Sequence, residues 1–133
     1  MGDARVMPGA GTIGWIDLTI DNAQQVRDFY AAVAGWSPQP VSMGDYDDYC
    51  MAPPAAGAEP VAGICHKRGG NADLPSQWII YIVVAYFDQA VQRVRELGGQ
   101  IIAGPKGEKG KGRTCFIRDP AGACAAIYEP PAA

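Results

Sequence analysis

The stretch IDLTIDNAQQVRDFYAAVAGW, Ile16–Trp36, decides how the chain is read. Its opening alternates. Ile16, Leu18 and Ile20 point one way, and Trp15, Asp17 and Thr19 the other. The spacing predicts a strand over residues 13–20 whose second face is mixed rather than simply solvated. Asp21-Asn22 then offers an N-cap. Val26, Phe29, Tyr30 and Val33 recur at i, i+3, i+4 and i+7, the stripe of a helix that packs on a core. Gly35 follows as the expected C-terminal cap.

Working outward, PVSM, GD and YDDYCMA read as a hairpin turning at Gly44-Asp45. VAGICHK is a further short strand. The pattern then restarts. WIIYIVV, residues 78–84, is a strongly apolar strand. Phe87, Ala90, Val94 and Leu97 mark a second helix, stopped by Gly98-Gly99. QIIAG, GRTCFIRD and ACAAIYE are three more strands, with GPKGEKGKG as a Gly/Lys loop between the first two. DPAG, Asp119–Gly122, has turn chemistry: Asp bonds nearby backbone, Pro presets φ, and Gly takes the awkward angle. A shift of 64 residues lays Trp15 on Ile79, Val26 on Ala90, Tyr30 on Val94 and Gly35 on Gly99. The order is βαβββ followed by βαβββ, one supersecondary unit in two copies.

The chain has 133 residues, enough for one compact domain with a real core. A net charge of −3 speaks against a general nucleic-acid binder. No apolar run approaches the ~20 residues of a membrane span. MGDARVMPGAG lacks the basic and apolar regions of a signal peptide, so a cytoplasmic protein is expected. Cys50, Cys65, Cys115 and Cys124 form no CxxC, and are expected as reduced, buried thiols. Walker, G-x-S-x-G and H-E-x-x-H motifs are absent, which argues against P-loop and hydrolase chemistry.

Three segments, IDLTIDNAQQVRDFYAAVAGW, FDQAVQRVRELGGQI and FIRDPAG, fall in this order over about residues 11–129. Together they resemble the vicinal oxygen chelate superfamily of glyoxalase I, extradiol dioxygenases and bleomycin-resistance proteins. The resemblance implies an α+β fold of two tandem βαβββ modules whose sheets curl into a cup or open barrel. The boundaries expected are a flexible segment 1–10, module one at about 11–67, a linker at about 68–77, module two at about 78–129 and a tail 130–133. It also implies a homodimer, since single-domain members commonly pair.

In catalytic members of that superfamily, four side chains on the first and fourth strands of each module hold a divalent metal. Those positions fall here on Trp15, Gly63, Ile79 and Ala126. None of these can ligate a hard divalent ion. The expectation is therefore no metal, no cofactor, and a small-molecule-binding protein of the glyoxalase or bleomycin-resistance kind. The alternatives are a VOC enzyme, metal-dependent through displaced ligands or working by acid and base, and a dimeric module whose cup is filled by its own side chains.

Candidate ligand-binding residues follow from the alternation. Trp15 and Asp17 share the cup face of the first strand, and Cys65 lies there two residues beyond Gly63. Asp17 could bind a ligand cation or hydroxyl or act as a base, and Tyr81 is a second weak catalytic candidate. Tyr81 and Tyr128 could bracket a planar ligand. The hairpin GDYDDY is expected to be solvated; its other reading, recognition of a cationic ligand, adds Tyr49. Lys106, Lys109, Lys111 and Arg113 are expected on a mobile hairpin, with closure over an anion as the other reading. His66 should point away from Cys65, because strand neighbours face opposite sides.

Overall fold

A computed structural model describes residues 9–132, so most of the expected N-terminal segment and the last residue of the tail lie outside the described residues. The elements run β1 (Ile13–Ile20), α1 (Ala23–Ala34), β2 (Ser37–Ser42), β3 (Asp47–Ala52), β4 (Ala62–His66), β5 (Trp78–Val83), α2 (Phe87–Glu96), β6 (Gln100–Glu108), β7 (Gly112–Arg118) and β8 (Cys124–Glu129). A single 3-10 turn at Gly69–Asn71 lies in the expected linker. The described residues divide into two compact units: Trp15–Trp78, and residues 79–132 with residues 9–14. In the second unit Gly11 N–H donates to Val83 O at 2.7 Å, and Val83 N–H to Thr12 O at 2.9 Å. Residues 11–14 thus group with the second unit, not with module one.

The first unit orders its strands β2-β3-β4-β1, and the second β6-β7-β8-β5. In each, the fourth strand returns to pair in parallel with the first: β1 with β4, and β5 with β8. The remaining neighbours are antiparallel. The two copies read from the 64-residue shift therefore share one topology, and the fold is α+β.

The apolar face of β1 does what alternation requires. Leu18 and Ile20 join Tyr49, Met51 and Ile64 in a core covered by Ala23, Val26 and Tyr30 of α1. Trp36 and Trp78 complete it: Trp78 Nε1 donates to the Tyr30 hydroxyl at 3.1 Å, and the three rings pack with centroids 5.4 to 5.9 Å apart. Gly35 ends α1 at φ +71°, a left-handed angle that favours glycine. The second unit buries Phe87 and Val91 of α2 against Cys115 and Ile127.

Four expectations need correction. Asn22 stands at the N-cap of α1, but its side-chain amide donates to Gln25 Oε1 at 3.0 Å instead of closing the helix. Phe29 and Val33 are not core: they are 56% and 67% exposed, because only the Val26–Tyr30 edge of the stripe meets the sheet. GPKGE is not loop but the end of β6, with Lys106, Gly107 and Glu108 paired to Thr114, Arg113 and Gly112. Nor does Arg113 extend from a mobile hairpin. Its Nε and Nη2 donate to both oxygens of Glu129 at 2.8 and 3.0 Å, its Nη1 donates to Asp88 at 2.9 Å, and its plane covers the Phe87 ring.

This bidentate pair ties β7 to the end of β8. Hydrogen bonding from Arg113 holds the Glu129 carboxyl below its ordinary value of 4.5. A depressed carboxyl stabilises the folded state above its unfolded pKa, and that contribution fades as pH falls through the folded value. Arg113→Gln is therefore expected to cost about 1–3 kcal/mol at pH 7. In urea titrations the gap from the parent protein should narrow below pH 4.5.

Candidate functional site

The face of the first unit away from α1 is built by β1, β4 and β3. Register pairs Asp17 with Gly63, Thr19 with Cys65, and Cys50 with Gly63. Trp15 Nε1 donates to Asp17 Oδ1 at 2.5 Å, so the indole fixes the carboxylate. The carboxylate lies directly over Gly63. A Cβ there would collide with Asp17 Oδ1 and sit 3.3 Å from Trp15 Nε1. Space, not backbone angle, favours glycine at this position while the Asp17 carboxylate stays in place.

Cys65 follows on the same face. Burial pushes its thiol far above the usual range, and the negative charges of Asp17 and Asp48 push the same way. Burial, then Asp17, raises the Cys50 thiol as well. Since the thiolate is the nucleophile, these are protonated wall groups and not activated nucleophiles. All four cysteines are free thiols.

Asp48 is the residue that sequence reasoning missed. It was expected in a solvated hairpin, yet it is only 9% exposed. Its Oδ1 accepts the His66 backbone N–H at 2.8 Å and lies 3.3 Å from His66 Nδ1. The signal was in DDYCMA, where alternation sets Asp48 on one face with Cys50. His66 stacks edge-on to Tyr46 and is held by Asp48, while Cys65 faces the Asp17 side. The adjacent residues meet different main partners, Asp17 for Cys65 and Tyr46 for His66, but both lie beside the Asp48 carboxylate. Tyr49 stands on the other face of β3, 5% exposed in the α1-covered core. The guanidinium of Arg27 lies 4.7 Å from its ring centroid, and that of Arg68 lies 3.9 Å from that of Tyr46. The chain's own cations cover the rings that sequence reasoning offered to a cationic ligand.

In the second unit Tyr81 pairs with Ala126 and packs edge-to-face on Phe116 at 5.7 Å. Tyr128 pairs with Val83 and Thr114, two residues on from Ala126 and on the same face. Ile79 and Ala126 are fully buried carbon. Among the described residues, no group of three or more His, Cys, Asp or Glu side chains could hold a metal ion. Trp15, Gly63, Ile79 and Ala126 bring no donor, and Asp17 brings one carboxylate where a hard divalent ion takes about six or more oxygens.

A family model described as "Glyoxalase/Bleomycin resistance protein/Dioxygenase superfamily" matches residues 12–124. The chain belongs to this superfamily. Among curated relatives, the anthracycline biosynthesis protein DnrV of Streptomyces peucetius is 30% identical over 129 residues, covering 97% of this chain and 45% of the relative. The putative glyoxylase CFP32 of Mycobacterium bovis is 32% identical over 124 residues, covering 90% of this chain and 46% of the relative. The chain thus spans about half the length of the curated relatives it matches. Among solved structures, methylmalonyl-CoA epimerase from Mycobacterium tuberculosis superposes with a TM-score of 0.56 at 15% identity, covering 96% of this chain and 93% of that one. A superfamily member from Vibrio splendidus 12B01 gives a TM-score of 0.56 at 14% identity, with 86% and 96% covered. These superpositions establish the fold that members of this superfamily share.

Two outcomes test the geometry. Gly63→Ala is expected to cost about 1–3 kcal/mol in chemical denaturation, because its methyl meets the Asp17 carboxylate. In a double-mutant cycle, Asp17→Ala should return most of that loss. Separately, peptide mapping after iodoacetamide at pH 8 should find Cys65 slow to alkylate, and faster in Asp17→Asn, where a charge that raises its pKa is gone.

Proposed function

We propose that this protein binds a small oxygenated or aromatic metabolite without a divalent metal, on the face made by Trp15, Asp17 and Cys65. The observation that carries this reading is the Asp17 carboxylate, held by Trp15 and laid over Gly63. An oriented carboxylate accepts hydrogen bonds from a hydroxyl or ammonium group, the indole offers apolar contact area, and the protonated thiol adds a soft wall. Tyr81 and Tyr128 are further ligand candidates on the second unit. The names of the relatives, anthracycline biosynthesis protein and putative glyoxylase, support a small organic ligand.

A second reading is an acid/base enzyme of the lyase or isomerase kind, with Asp17 as the base. The orientation of its carboxylate by the Trp15 indole favours it. The proposal also includes a cytoplasmic location, supported by four free thiols, and a homodimer, supported by the exposed Phe29 and Val33.

Protein purified without chelator or affinity metal is expected to carry no stoichiometric zinc, nickel, manganese or iron by elemental analysis. Metal that survives dialysis would overturn the reading. A thermal-shift screen of oxygenated and aromatic metabolites should find a ligand whose affinity falls roughly tenfold in Asp17→Asn. If binding is unchanged in that variant, Asp17 leaves the site.

A further inference from the structure

Ala90 and Val94 of α2, with Leu97 at its C-cap, have the spacing of a core-facing stripe, but Phe87 and Val91 fill the core of the second unit and, of the three, Ala90 packs against it. The stripe instead lines a groove of about 560 Å³, closed by Ile117 of β7 and Pro120 of the following turn. Leu97 is 69% exposed. The chain passes so tightly beneath that a Cβ on Gly99 would lie 2.9 Å from both Arg118 O and Val94 Cγ1. This volume is within the ~300–1,000 Å³ of ordinary small-molecule sites, and the walls are almost wholly hydrocarbon.

Two arginines, Arg93 and Arg118, belong to the wall. Arginine lays its stem along apolar surface and carries its charge to the water's edge. Their guanidinium groups are lightly engaged: Arg93 is 3.7 Å from Glu96, and Arg118 makes a 3.3 Å bond to Gly122 O. Each keeps further donors for a guest. The acidic wall residue, Asp119, is held by its own turn, accepting from Ala121 N–H at 2.8 Å and Ala123 N–H at 3.0 Å. With two arginines against one carboxylate in the lining, the carbon walls complement a guest with an apolar body and an anionic end.

We propose that this groove binds a small amphiphile with an apolar body and one anionic head, of the class of a medium-chain carboxylate. The inference is independent of the function proposed above, since it uses none of Trp15, Asp17 or Cys65.

The test is calorimetry and displacement of 1-anilinonaphthalene-8-sulfonate fluorescence, with decanoate and decanol as probes below their aggregation limits. One decanoate per chain is expected, bound roughly tenfold tighter than decanol. Arg93→Gln/Arg118→Gln should remove that preference and leave decanol binding unchanged. Leu97→Asp should abolish binding of both probes while circular dichroism stays that of the parent. Equal affinity for the two probes, or decanoate binding that survives Leu97→Asp, overturns the proposal. So does failure of decanoate to bind; if sedimentation then shows a dimer that Leu97→Asp dissociates, the groove belongs to a second copy of the chain.

Discussion

Asp17 sits on Gly63 because β1 and β4 run parallel in a register that puts these two residues side by side. The candidate site depends on that contact. Once Trp15 holds the carboxylate in place, no side chain fits at position 63. The same carboxylate helps to hold the Cys65 thiol in its protonated form. One strand pairing thus sets the hydrogen-bond acceptor and helps to keep the cysteine protonated.

The two units use one topology with different polar chemistry at the end of the returning strand. In the first, Asp48 receives the His66 backbone and faces its ring. In the second, Glu129 receives both arms of Arg113. A repeated fold conserves strand order and the helix-covered core, because these follow from apolar periodicity. It leaves strand ends open to variation, where a single polar partner satisfies the backbone or a charge.

Exposed apolar residues on both helices show where periodicity misleads. Phe29, Val33 and Leu97 keep helical spacing with true core residues but lie beyond the arc that the sheet covers. In α1 only Val26 and Tyr30 of the stripe meet the sheet. Val91, outside the stripe marked from the sequence, is buried in place of Leu97.

Alternation and helix spacing were enough to recover strand β1, both helices, the duplicated order and the face that carries Trp15, Asp17 and Cys65. These depend on local geometry, since side chains on a strand alternate and those on a helix recur about every 3.6 residues. Three features needed the folded chain: the carboxylate over Gly63, the burial of Asp48, and the self-covering of Tyr46 and Tyr49 by Arg68 and Arg27. Each joins residues distant in sequence through strand register or a long flexible side chain. No local pattern encodes where such a side chain comes to rest, because its position is set by the neighbours that only tertiary packing supplies.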